Sequence, residues 1–219
     1  MVNRSSSTPS GRILYYFPII HTAADMGALR ESLRRVTIQK LGEEGWKRQM
    51  AAVDKMWEEI ERAIEVLPLC YEKVRLYQDG LPVCGRETEI VKELSRAGSR
   101  NHQLLLRLMK KGAAIMGTES SELLVEEYEL VKQLLASPNT LEMVGPGSRS
   151  RALGDSLLKK RDRFIADRIN TTLKAGEAGI LFLGMLHSLR ELLAKEIRVI
   201  YPCIKPLHHG GRTIAKHGR

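Results

Sequence analysis

Aromatic residues are scarce: Phe, Trp and Tyr together make up 5% of the 219 residues. A nucleic-acid reader built on stacking bases against aromatic rings is therefore disfavoured. Cysteine is sparse too. Cys70, Cys84 and Cys203 show no CxxC spacing, which fits free thiols in a reduced, cytoplasmic setting. No apolar run approaches the ~18 residues of a membrane span. The stretch MVNRSSSTPSGR has no apolar segment behind its Arg, so no secretory signal is read there. Neither GxGxxG nor a P-loop occurs, which removes the usual support for a dehydrogenase or kinase. Gly154-Asp155-Ser156 lacks the preceding strand that a nucleophile elbow needs. There is no internal repeat.

What is present is enough for a core: 43% hydrophobic and 28% charged residues. The net charge of +9 is partly local, because Lys205 to Arg219 carries four Lys or Arg, three His and no acid. That stretch reads as a basic flexible tail, with a nucleic-acid arm as the alternative. Residues 1–11, rich in Ser, Gly and Pro, read as a disordered N-terminus. Residues 12–204 then form one domain.

Five short segments have strand character. RILYYFPII (Arg12 to Ile20), YEKVRLYQDG, GAAIMG (Gly112 to Gly117), GILFLG and IRVIYP are apolar, β-branched or aromatic, and bounded by turn residues. Helical patterns lie between them. HTAADMGALRESLRR reads as a turn and a short helix. A long helix follows, with Trp46, Met50, Val53, Trp57, Ile60, Ile64 and Leu67 on one seam and Pro68 as its stop. That seam can meet the sheet or a second subunit, so a homo-oligomer stays open. Further helices are read near Glu87–Ala97, Asn101–Lys111, Thr118 (as N-cap) to Ala136, and Ala152–Lys174, with a short one before IRVIYP. SPNTLEMVGPGSRS reads as a loop. Strands alternating with helices predict an α/β fold with a small, mainly parallel sheet flanked by many helices.

Several polar residues stand where apolar ones belong. On a wheel of about 100° per residue, Leu157, Leu158, Phe164, Ile165, Ala166, Ile169 and Leu173 share an arc that also contains Arg161, Asp162 and Arg168. In the helix after Thr118, Glu127 falls within the apolar face and Glu126 at its edge. Each can be a structural ion pair; each can also belong to a site. His21, Asp79, Glu119 and His187 follow four of the strand segments. The carboxyl ends of parallel strands form the ligand crevice of such sheets. Together these residues suggest one pocket of imidazoles, carboxylates and guanidinium, suited to a divalent metal or to activating water.

Two segments carry a resemblance. RDRFIADRI (Arg161 to Ile169), followed by GILFLGMLHSL with its Gly184-x-x-His187, resembles the TraB/TIKI/ChaN/erythromycin-esterase-like superfamily. In that superfamily a GxxH stands near each end, glutamates lie between, and an Arg-Asn or Arg-Asp precedes the last GxxH strand. PIIHTAADMG puts His21 in the place of the first histidine, with Pro18 where the glycine would be. GTESSELLVEEYE supplies Glu119, Glu126 and Glu127. The resemblance spans most of the chain and implies functions from metal-dependent proteolysis and ester hydrolysis to haem binding and peptide-pheromone control.

The leading expectation is hydrolysis of a peptide or ester bond. His21, Glu119 and His187 would hold zinc or manganese, or His21, Glu127 and His187 would act on water directly, with Arg161 stabilising negative charge on the substrate. The alternatives are a binding protein whose Arg161 and Arg168 clamp an anionic ligand or cofactor, and a nucleic-acid-associated protein acting through its basic tail. Cys203 with His208 and His209 has only loose metal-ligand spacing.

Overall fold

The structure, a computed structural model, describes residues 11–21, 29–136 and 149–202. The expected disordered N-terminus up to residue 10, most of the expected loop at 137–150, and the basic tail with Cys203, His208 and His209 lie outside them. The fold is α/β. The element order is β1 (Arg12–Ile19), α1 (Arg30–Glu65), β2 (Val74–Gln78), α2 (Glu87–Arg96), α3 (Arg100–Lys110), β3 (Ala114–Met116), α4 (Ser121–Ala136), α5 (Arg149–Thr172), β4 (Ala178–Gly184) and β5 (Ile197–Ile200). All five strand segments read from the sequence are strands.

The strands form one parallel sheet in the order β3-β2-β4-β1-β5. β4 sits at its centre, paired to β1 from Ile13↔Ala178 to Ile19↔Gly184 and to β2 from Val74↔Ala178 to Gln78↔Phe182. A strand buried on both faces needs apolar residues throughout, which is why ILFL at the centre of β4 has no polar position.

Alternation along the strands separates two cores. Tyr15, Phe17, Ile19, Leu76, Ile180 and Phe182 face α1, α2 and α3. There Trp57 of α1 packs on Phe182, with ring centroids 6.1 Å apart. The seam expected from Trp46 is buried at Val53, Trp57, Ile60 and Ile64, so it meets the protein's own sheet. On the other face Leu14, Tyr16, Tyr77, Leu181 and Leu183 pack on Ile165, Ala166, Ile169 and Leu173, near the end of α5. α4 packs along α5 and buries none of its own residues.

Some local expectations are corrected. The short and long helices read before Pro68 form one element, Arg30–Glu65, broken at Gly42, whose φ of 71° and ψ of 166° leave the helical region. Thr118 is not the N-cap of α4. Its hydroxyl accepts from Gln78 N at 3.0 Å and donates to Met116 O, tying β2 to β3, while Ser120 Oγ accepts from Leu123 N. No helix precedes β5; residues 185–196 make turns, including a hydrogen-bonded one at Leu189–Leu193. Among the described residues, no helix is long and apolar enough to cross a membrane. Cys70 and Cys84 are exposed free thiols.

Candidate functional site

The strand ends converge because the sheet is parallel. His21 follows β1, Asp79 follows β2, Glu119 follows β3 and His187 follows β4, and α5 brings Arg161 and Asp162 over them. Asp79 is the hub. Its Oδ2 accepts from Gly184 N and from His21 Nε2, each at 2.8 Å, and its Oδ1 accepts from Arg161 Nη2 at 2.8 Å. Gly184 is required by this approach: a Cβ there would stand 2.9 Å from Asp79 Oδ2 and 3.4 Å from His21 Nε2. The glycine of Gly184-x-x-His187 thus has a steric reason.

Arg161 binds three carboxylates. Besides Asp79, it donates from Nη2 and Nε to the two oxygens of Glu119, at 2.6 and 3.1 Å, and from Nη1 to Glu127. Arg161 is buried and Glu119 fully so, whereas the Glu127 side chain is 40% exposed. Four of the five guanidinium N–H groups are engaged in these bonds. The remaining one, on Nη1, is all that Arg161 has left for an external oxygen.

His187 is held by a second carboxylate. Its Nδ1 donates to Asp162 Oδ1 at 2.6 Å, while Asp162 Oδ2 accepts from Ser188 N at 3.1 Å. That bond fixes the ring, so Nε2 points at Asp79, whose Oδ2 is 3.5 Å away. This is too long for a good direct hydrogen bond.

The electrostatics follow from counting charges. Asp79, Glu119 and Glu127 surround one guanidinium. Burial pushes the Asp79 carboxyl up, but the His21 hydrogen bond and the charges of His21, His187 and Arg161 outweigh it and hold it below its ordinary 3.8. Burial dominates at Glu119: despite the Arg161 bonds, and with Asp79 repelling it, its pKa stands above the ordinary 4.5. Burial disfavours the Arg161 charge, yet the bond to Glu119 and the surrounding carboxylates more than offset this and raise its pKa.

These shifts act on stability in opposite senses. The Asp79 contribution is fully present above 3.8 and is lost as pH falls through its lowered value. The Glu119 contribution is fully present below 4.5 and is lost as pH rises through its raised value. Urea melts from about pH 4 to 8 should thus show Glu119→Gln losing less stability than the parent as pH rises, by at most about 1.4 kcal/mol per pH unit. Parallel profiles would show that folding leaves the Glu119 pKa unshifted.

Asp79, Glu119 and His187 form a group able to hold a metal, each offering one atom within 4.8 Å of the others. Two ligands of a tetrahedral cation at ~2.1 Å stand ~3.4 Å apart, close to the separation of His187 Nε2 and Asp79 Oδ2. The Asp162–His187 bond is the outer carboxylate that metal-binding histidines commonly use. The donor set thus fits. It differs from the expected His21, Glu119 and His187 in one member: His21 Nε2 donates to Asp79, and Asp79 takes its place.

Other expected residues fall elsewhere. Arg168 donates to Gly117 O at 3.2 Å, closing the end of β3, and is not among the residues lining the cavity. The same wheel signal that marks Arg161 marks a strand-end brace here. Glu126 lies 3.7 Å from Lys160 on the surface. The two arginines expected to clamp an anion are thus placed apart: Arg161 lines the cavity and Arg168 does not. Asp162 and Asp79 stood out in the sequence as a polar residue in an apolar arc and as a strand end, but nothing there showed their bonds.

The cluster opens into a cavity of about 410 Å³. His21, Asp79, Glu127, Arg161 and His187 form its polar end; Ile19, Ile20, Leu94, Leu158, Met185 and Leu186 supply apolar wall. Gly80, Gly184, Gln78 and His102 complete it, of which Gln78 and His102 were not singled out from sequence. His102 rests on α3, its Nδ1 2.7 Å from Oγ of the N-cap Ser99. No family model, curated protein or solved structure matches this chain.

Proposed function

We propose that the protein is a hydrolase acting on a peptide or ester bond. One observation carries this reading: the Asp162–His187 pair, buried at a cavity, with His187 Nε2 turned toward Asp79 across 3.5 Å. A histidine oriented by a carboxylate through Nδ1 has one lone pair to offer, on Nε2, and here it would go to a metal rather than to a proton. Asp79, Glu119 and His187 would hold a divalent cation, zinc or manganese by their mixed nitrogen and oxygen donors. When bound, such an ion supplies Lewis acidity and makes water nucleophilic near neutral pH. His21 orients Asp79. Arg161 keeps Asp79 and Glu119 together and offers its one remaining N–H to a substrate oxygen. The resemblance carried by Arg161-Asp162 and Gly184-x-x-His187 leads to the same reading.

The test is elemental metal analysis and a panel of acyl esters and peptides, run on the parent and on the His21→Ala/His187→Ala variant. Near-stoichiometric metal and turnover in the parent, with both lost in the variant, is the expected result. Turnover that survives the double substitution, or no turnover across the panel with zinc, manganese and cobalt supplied, would overturn it.

A further inference from the structure

One buried polar atom, on a residue that lines the cavity, has no role in the chemistry above. Gln78 ends β2 and is 1% exposed. By strand alternation it falls on the same sheet face as Val74 and Leu76, the face covered by α1, α2 and α3. Its backbone is fully used: Gln78 N donates to Thr118 Oγ1, and Gln78 O accepts from Leu81 N. Its side-chain Nε2 donates to Asp79 O at 3.0 Å. That bond fixes the amide, and Oε1, though buried, has no hydrogen-bond partner among the described residues. A buried carbonyl without a partner is a standing cost to the fold. At a cavity wall, a donor on a ligand can remove that cost.

We propose that Gln78 is a specificity-determining residue of this cavity, its Oε1 accepting a hydrogen bond from an N–H or O–H on an uncharged ligand with an apolar body. The proposal rests on reading the cavity as the binding site. The polar end argues for the missing charge. Three carboxylates, Asp79, Glu119 and Glu127, are already bonded to the one guanidinium there, so an anionic ligand meets carboxylates rather than a free cation. The walls argue for the apolar body. Leu94, Leu158, Ile20 and Leu186 line the same cavity as Gln78, and Met185 and Leu186 are exposed at 59% and 83%. His102, pinned by Ser99, gives the wall on α3 a fixed shape. A site that presents an unpaired acceptor discriminates strongly against analogues that lack the donor, because the acceptor is then left buried and unpaired.

Ligand-observed NMR with octanamide, N,N-dimethyloctanamide and octanoate tests this. All three share the chain; only octanamide is uncharged and carries N–H donors. Octanamide should bind at least about tenfold more tightly than the other two. In Gln78→Met, which keeps the volume and removes Oε1, its advantage over the dimethyl amide should vanish. The comparison in the parent needs no substitution, so an unstable variant does not remove the test. Equal binding of the two amides, preference for octanoate, binding of none, or a preference that survives Gln78→Met would each overturn the proposal. Binding is read without turnover, and His187→Ala should keep the preference. A selective protein without hydrolysis would therefore sink the hydrolase reading alone.

Discussion

Replacing Arg161 by methionine is expected to cost about 3–5 kcal/mol of folding stability, read by urea unfolding at neutral pH. The reason is the company Arg161 keeps. Asp79 and Glu119 have side chains 4% and 0% exposed, and both accept from its Nη2. Without the guanidinium, both carboxylates stay buried; His21 still serves Asp79, but nothing with a fixed charge serves Glu119. Lysine should not rescue the loss, because one ammonium cannot reproduce the planar fork that reaches Asp79, Glu119 and Glu127 together. Adding Glu119→Gln to Arg161→Met should recover part of it by removing one stranded charge, so the two substitutions should be non-additive. A loss under about 1 kcal/mol would instead be the size of an exposed ion pair, and would show that water reaches these groups.

Asp162→Asn should leave the fold near parental stability and cut turnover on the order of 10⁴-fold in kcat, with KM little changed. The substitution keeps the shape and inverts one hydrogen bond. An asparagine whose oxygen accepts from Ser188 N must turn its amide N–H toward His187 Nδ1. The imidazole then carries its proton on Nε2, where it can neither accept a proton nor ligate a metal. Asp162 is thus a positioning residue. A merely structural role would change stability and spare the split between kcat and KM. Metal content gives an independent reading, since loss of an outer carboxylate weakens metal affinity about 10–100-fold. Parental kcat in a folded Asp162→Asn protein would remove His187 from the chemistry.

The strands were legible because each is a short β-branched or aromatic run closed by turn residues. Most helices were legible because their apolar periodicity is 3.6. Arg161, His21, Glu119 and His187 stood out by a local contradiction: a charge inside an apolar arc, or a polar residue at the end of an apolar run. That contradiction says only that a partner is needed. For Arg161 the partners are Asp79, Glu119 and Glu127; for Arg168 the partner is the Gly117 carbonyl. A helical wheel cannot distinguish the two, because the acceptors come from elements distant in sequence. Gln78 was illegible for the same reason. In sequence it is one more polar residue before the Asp79-Gly80 turn, and its unpaired oxygen exists only once the strand is buried. The sheet order was illegible too, since nothing in an apolar heptapeptide says that its place is between β1 and β2.

That place has a consequence for how the chain is made. During vectorial synthesis β1 emerges before the other four strands, but its strand neighbours among the described residues are β4 and β5, so it has none of them to pair with until residue 178 leaves the ribosome. β2 and β3 can zip earlier, as a two-stranded fragment too small to be stable alone. The helices must therefore shelter β1 and its aromatic residues for most of translation, and the sheet closes late through pairings of long sequence separation, the slow kind. The strand that closes the sheet also delivers Gly184 and His187. A nascent chain truncated before β4 would thus lack both its fold and its chemistry, and the two are acquired in a single step.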